Sequence, residues 1–340
     1  MMTWRMPAET DPHERTWMAF PRSWSIATEE SADVARATWS AVAHAIIEFE
    51  PVTMVVDPAD ISVARASLSS QIEIVEAPLD DAWMRDIGPT FVVDDGGRLG
   101  AVDWMFNGWG QQEGIDWAND SQIGDVVACT AGAELIGSPM VNEGGGIHVD
   151  GNGTVLATDT VQLDPERNPG WTKPSVEAEF ARTIGAEHVI WLPRGLTRDY
   201  ERFGTRGHVD IVATVAAPGV LLVHAQRDTA HPDHAVTKQI IDVLAGSYDA
   251  AGSSWHIIEV PAPVTLRDEV DWVDYSYINH LVVNGGVIAG SFGDANDDQA
   301  RGILSDAYPG RDVVLVESRP LFARGGGIHC ITQQQPRSFV

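Results

Sequence analysis

Four stretches of the 340-residue chain carry residue types that could act together on one substrate. Near the end, Gly325-Gly326-Gly327-Ile328-His329-Cys330 sets a cysteine just past three glycines, where the missing Cβ lets the backbone bend tightly or approach a neighbour closely. A thiol held at such a bend is a candidate nucleophile, although a free cysteine is by default a small buried hydrophobe. It would need a base, a group that orients the base, and acids that fix a substrate. Gly207-His208-Val209-Asp210 offers the base. In a strand, residues two apart face one side, so His208 and Asp210 are expected to project together. Glu143 stands ahead of a second glycine run, Gly144-Gly145-Gly146, and Trp83-Met84-Arg85-Asp86 joins an indole wall to an acceptor suited to a planar cation. Taken singly, each has a plain reading: a surface ion pair for Arg85 and Asp86, a loop glycine cluster with an incidental glutamate for Glu143. A metal at His208 and Asp210 is disfavoured, because no further histidine lies at ligand spacing. His231 and His234 flank Asp233 at a helix start, where surface capping is expected.

The elements around these stretches repeat. Hairpin signals occur at Phe91–Val102, Ile147–Ala157, Val209–Val223 and His280–Ala289, each with a glycine-containing turn, and the turns are roughly 55 to 70 residues apart. A helical pattern and then a strand follow: 175–185 before 188–192, 235–247 before 256–260, and 299–308 before 313–316. Upstream, Thr28–Glu50 reads as a long amphipathic helix, 51–56 as a buried strand, 59–69 as a short helix and 72–75 as a strand. Alternating helices and strands predict an α/β protein. A hairpin-helix-strand unit cannot bury its apolar faces alone, whereas a closed ring of such units can, and a ring brings equivalent segments to one axis. Asp86, Glu143, His208 with Asp210, and Cys330 occupy the same place in different repeats, so they are expected to converge there. No linker divides the chain, and residues 1–340 are read as a single catalytic domain.

Composition narrows the partners. With 44% hydrophobic residues the chain can bury a large core. Its 49 acidic and 22 basic residues give a formal net charge of −27, which repels a nucleic-acid backbone and suits a cation. No apolar run approaches a membrane span, and Met1–Pro7 lacks the layout of a signal peptide, so a soluble cytoplasmic protein is expected. Two cysteines are too few for a disulfide framework. Cys129, in an apolar helical stretch, is expected in the core.

Together, Pro12-His13-Glu14, Trp83-Met84-Arg85-Asp86, Phe106-Asn107-Gly108-Trp109-Gly110, Glu143-Gly144-Gly145, Gly207-His208-Val209-Asp210, Phe292-Gly293-Asp294-Ala295-Asn296-Asp297 and His329-Cys330-Ile331-Thr332-Gln333-Gln334 resemble the agmatine deiminases. These group with the bacterial peptidylarginine deiminases in the guanidine-modifying superfamily, and the resemblance runs through nearly the whole chain in order. It implies a five-bladed pseudo-symmetric α/β propeller, the pentein fold, and hydrolysis of a guanidinium to a ureido group with release of ammonia. It also implies the roles. Cys330 would attack the guanidinium carbon, His208 would protonate the departing ammonia and then activate water, and Glu143 would orient His208. Asp86 and Asp210 would grip the guanidinium nitrogens, with Trp83 and Trp109 beside the substrate. No metal and no organic cofactor is required. The implied partner is a small cationic guanidine compound, with no nucleic acid and no membrane; a homo-oligomer is compatible with this reading.

Two positions depart from the family pattern. Where that pattern has Glu-Thr-Asp before Gly-His-x-Asp, this chain has Gly204-Thr205-Arg206; where it has Gly-Gly-Gly-Asn before the nucleophile, this chain has Arg324-Gly325-Gly326-Gly327. An arginine in the site would suit a carboxylate-bearing substrate, while pairing with neighbours such as Asp199 or Glu201 would leave a cationic substrate acceptable. Agmatine is therefore the first expectation, giving N-carbamoylputrescine and ammonia. Free arginine, a peptidylarginine or a guanidino acid is the alternative. An amidinotransferase ranks below these, and a non-catalytic binding protein on the same scaffold lower still.

Overall fold

The computed structural model describes residues 4–22, 29–201 and 203–338. Thr28, where the first helix was expected to begin, and residues 1–3 lie outside them. Among the described residues the strands form five small sheets. Four contain a contiguous antiparallel hairpin: Thr90–Asp94 with Leu99–Met105, Ile147–Val149 with Thr154–Thr158, Ala213–Ala217 with Val220–Ala225, and Leu281–Val283 with Gly286–Ser291. The second strand of each then pairs in parallel with Glu134–Val141, His188–Leu192, His256–Pro261 or Asp312–Glu317, reached through a crossover helix as parallel pairing demands.

The fifth sheet was not legible as a hairpin, because its antiparallel pair joins Thr332–Pro336 to His13–Ala19. Val52–Val56 and Glu73–Glu76 extend it in parallel. The two ends of the chain thus close a five-bladed α/β propeller. The crossover helices also seal the joints between blades. Glu29–Ile47, Lys173–Ile184, Asp233–Ala245 and Asp297–Ala307 each touch the sheet of the preceding unit. Lys173–Ile184 illustrates why: a Thr172–Ser175 capping box starts it, and Val176, Phe180, Thr183 and Ile184 form one buried stripe. Each such apolar side chain contributes about 1.5–3 kcal/mol by leaving water. Among the described residues no helix is long and apolar enough to cross a membrane.

Three local expectations are corrected. Val209–Ile211 is a 3-10 turn rather than the start of a strand, and the strand begins at Ala213. The Asp199 carboxylate accepts the amides of Thr205, Gly207 and His208 at 2.7, 2.6 and 3.2 Å, which satisfies these donors without a sheet partner. Cys129 is exposed, because helix Ile123–Ala131 buries the stripe Ile123, Gly124, Val127 and Ala128 and turns the next position to solvent. His231 is buried rather than at the surface; its Nδ1 accepts the Asp233 amide and its Nε2 lies 3.1 Å from the Val273 carbonyl.

Candidate active site

Every blade sends one short segment toward the axis from the place just ahead of its hairpin. The first contributes Asp86, on the helical turn Met84–Ile87. Glu143 precedes the Gly144–Gly146 turn of the second, and His208 and Asp210 bracket the Val209–Ile211 turn of the third. Cys330 stands two residues before Thr332–Pro336 of the fifth. In the fourth, the equivalent place ahead of Leu281–Val283 holds Asn279, which sequence reasoning passed over. Its signal was positional, since the other units had already shown where to look.

The expected residues come together and are buried. Asn279 Nδ2 donates to Cys330 Sγ at 3.2 Å, and Sγ lies 3.5 Å from Asp210 Oδ2. His208 Nε2 is 3.2 Å from Glu143 Oε2, while its Nδ1 is 3.8 Å from Asp86 Oδ1 and has no hydrogen-bond partner among the described residues. Asp86 accepts the Trp109 indole N–H on Oδ2 at 2.9 Å and the Gly145 amide on Oδ1 at 3.1 Å. Asp210 Oδ2 is 2.8 Å from His329 Nδ1, and its Oδ1 has no hydrogen-bond partner among the described residues. The loss of strand geometry at 208–210 therefore does not separate His208 from Asp210.

Burial and charge set the protonation states. Burial alone would lower the pKa of His208, but Asp86, Glu143 and Asp210 outweigh it and raise the imidazole to about 9. Burial works against ionised Glu143, yet Arg167 and His208 bring it down to about 2. Arg167 was also missed: its Nε reaches both Glu143 oxygens at 2.9 and 3.1 Å, and its Nη1 is 2.9 Å from Asp164 Oδ2. Asp86 is pushed up to about 6, chiefly by burial. Burial, with Asp210 and Asp86 adding repulsion, holds the Cys330 thiol well above its ordinary value. The resting site thus holds a thiol and an imidazolium, and an added positive charge near the sulfur would favour the thiolate.

Close backbone approaches shape the walls. A Cβ on Gly145 would stand 2.4 Å from His208 Nδ1, and one on Gly326 would stand 2.6 Å from the Trp83 ring and 3.1 Å from Cys330 Sγ. The glycine runs therefore make room for the His208 imidazole, the Trp83 indole and the Cys330 sulfur. Trp83 is buried, with its Nε1 on Asp81 Oδ2 at 3.2 Å. Trp109 lies in a left-handed conformation at φ 54°, ψ 46°, on a turn where Gly108, Gly110 and Gln111 also have positive φ. Such strain needs tertiary support, here supplied in part by the Asp86 bond.

The surface-pair reading of Arg85 and Asp86 does not hold. Both are buried, and Arg85 turns instead to the His329 carbonyl and Glu9. The arginines that depart from the family pattern are also placed. Arg206 pairs with Asp164 at 2.9 Å and Glu166 at 2.5 Å, rather than with Asp199 or Glu201. Arg324 Nη1 donates to the Pro320 carbonyl at 2.6 Å.

This fold and hub define a guanidine-modifying α/β propeller. The model of the Porphyromonas-type peptidyl-arginine deiminase family matches residues 5–336, and the chain belongs to that family. A Streptomyces coelicolor relative provisionally named an agmatine deiminase is 56% identical, over 99% of this chain and 100% of its own length. The agmatine deiminase of Stutzerimonas stutzeri is 39% identical, over 98% of this chain and 96% of its own. The solved agmatine deiminase of Enterococcus faecalis superimposes with a TM-score of 0.93 at 31% identity, over 98% and 96% of the two chains.

Proposed function

We propose that the protein is a hydrolase of linear amidines that converts agmatine to N-carbamoylputrescine and ammonia. The observation that carries this is the geometry around Cys330: a buried sulfur, the Nδ1 of a charged His208 and the Oδ1 of Asp210, both without a hydrogen-bond partner among the described residues, belong to one cluster, with Asp86 opposite His208. The Stutzerimonas stutzeri agmatine deiminase, 39% identical, and the 56% identical relative provisionally given that name support the same substrate.

A guanidinium is a poor electrophile because its charge is delocalised. Asp86 and Asp210 hold its N–H groups and align the central carbon with the sulfur. The arriving cation offsets the repulsion that kept Cys330 protonated, the thiol releases its proton to solvent, and the thiolate adds to that carbon. His208 gives its Nδ1 proton to the departing ammonia while Glu143, ionised by Arg167, retains the ring. The amidino-thioether is then attacked by a water that returns one proton to His208, and collapse of the adduct expels the sulfur, which takes the remaining hydroxyl proton and returns to the thiol, leaving the ureido product. Trp83 and Trp109 flank the path. Arg206, neutralised by Asp164 and Glu166, does not bar a substrate with a second cationic end. This reading takes residues 1–340 as one catalytic domain acting in the cytoplasm, compatible with a homo-oligomer, with no nucleic-acid partner and no metal or organic cofactor.

The test is to incubate purified protein with agmatine, arginine, a peptidylarginine and a guanidino acid, and to measure ammonia and ureido product. Agmatine is expected to turn over fastest, with no added amine needed; absence of agmatine turnover would overturn the assignment.

A further inference from the structure

His329 is adjacent to the nucleophile, yet the mechanism above gives it no role. Its ring is clasped between two carboxylates: Nδ1 lies 2.8 Å from Asp210 Oδ2 and Nε2 lies 2.8 Å from Glu9 Oε1. Both ring nitrogens can donate at once only in the imidazolium. The backbone is pinned as well, its amide on Asn279 Oδ1 at 3.0 Å and its carbonyl accepting from Arg85 Nε at 3.3 Å. Glu9 is held in turn, since its carbonyl lies 3.0 Å from His13 Nε2. We propose that His329 is a positioning residue for guanidinium binding: by holding Asp210 through one oxygen, it keeps the other turned to the substrate, and Glu9 keeps His329 in place. The proposal rests on the deiminase reading.

The arrangement is particular to this ring. Asp210 Oδ2 has two suitors, His329 Nδ1 at 2.8 Å and the Cys330 thiol at 3.5 Å. The shorter, charge-assisted bond is the stronger. Without His329, Asp210 could rotate to accept the thiol more closely and withdraw its free oxygen from the substrate. The charged and titratable groups facing His329 are Glu9, Asp210, Arg85, His148 and His280, and the sum of their effects, against the cost of burial, raises its pKa. Glu9, His148 and His329 are also close enough together to hold an ion. Arg85 Nη1, 3.7 Å from the same Glu9 oxygen, already supplies positive charge there, which favours ion pairing over metal binding.

The test separates the two ring nitrogens. In His329→Asn the side-chain amide can donate from near the Nδ1 position, toward Asp210; in His329→Gln it donates from near the Nε2 position, toward Glu9. His329→Ala and His329→Gln are expected to raise the KM for agmatine on the order of 10- to 100-fold with a smaller change in kcat, the loss of a charge-assisted bond. His329→Asn should keep KM within about a factor of three. Equal KM in the Asn and Gln variants, or no KM change in the Ala variant, would overturn the proposal. Should the His329 variants fail to fold, Glu9→Gln keeps the shape and an acceptor while removing charge. Glu9 raises the His329 pKa, so in that variant the cation is lost at lower pH, and KM should begin to climb at lower pH than in the wild type; an unchanged KM profile would overturn the role of Glu9. If wild-type protein does not turn over agmatine, the deiminase reading fails on its own. The Asn and Gln contrast is then read as calorimetric affinity for methylguanidine, with the same expectation.

Discussion

Asp86 and Asp210 enter the hub from different blades, are both buried and are assigned the same task, yet they are anchored in opposite ways. Asp86 is held on both oxygens by neutral donors, the Trp109 indole and the Gly145 amide. Asp210 is held on one oxygen by His329 and presents the other. For Asp86 burial prevails and its pKa climbs to about 6; for Asp210 burial is outweighed by His329, with His208 and Arg85 adding to it, and the pKa falls. The charge state of a buried carboxylate therefore follows the charge of its anchor more than its depth. Asp86 can respond to pH and to the charge on His208, whereas Asp210 is a fixed anion.

The largest effect removes what both acids serve. Cys330→Ala should lower turnover on the order of 10⁴-fold or more while methylguanidine still binds, measured by product formation and calorimetry; full activity would end the covalent mechanism. Next, Asp86→Asn and Asp210→Asn should each lower kcat/KM on the order of 10²- to 10³-fold, the cost of unpairing a buried charge. The comparison predicts a difference in the residual activity: the acidic limb near pH 6 disappears in the Asp86 variant and persists in the Asp210 variant. An acidic limb that survives in both would assign it elsewhere.

The wild-type profile of kcat/KM gives the sign of each limb. Asp86 must be ionised to hold a cation, so activity falls as pH drops through about 6; His208 must be protonated to deliver a proton, so activity falls as pH rises through about 9. A profile flat across both regions would contradict these states. The smallest change is Trp109→Phe, which removes a neutral donor from Asp86 and should cost about 10-fold in kcat/KM, one hydrogen bond to a charge. Because that bond lowers the Asp86 pKa, its loss should move the acidic limb upward and leave the basic limb in place.

Much of this site was legible in the chain order. Cys330, His208, Glu143, Asp86 and Asp210 were singled out from residue type, glycine spacing and their recurrence ahead of hairpins, and the family resemblance implied the role of each. Asn279 escaped because an asparagine before a hairpin has no chemical signature, although its place in the fourth repeat marked it. Arg167, Asp199, Glu9 and the partners of Arg206 were invisible for a different reason. They act through pairings with Glu143, His208, His329 and Asp164 that span many residues and depend on which turns face each other. Cys129 was misplaced because one step along a helix moves a residue by 100° in direction, enough to leave a buried stripe.

By itself, the sequence determined the local units: the glycine-led bends, the hairpin-helix-strand repeat and the residue types at each bend, because these follow from φ freedom, capping and hydrophobic period within short stretches. Only the tertiary structure decided that Thr332–Pro336 closes the ring on His13–Ala19, that Val209–Ile211 leaves the strand for the Asp199 carboxylate, and which anchor each acid receives. Those outcomes are electrostatic and steric sums over groups far apart in sequence. No local pattern contains such sums until the blades are assembled around their axis.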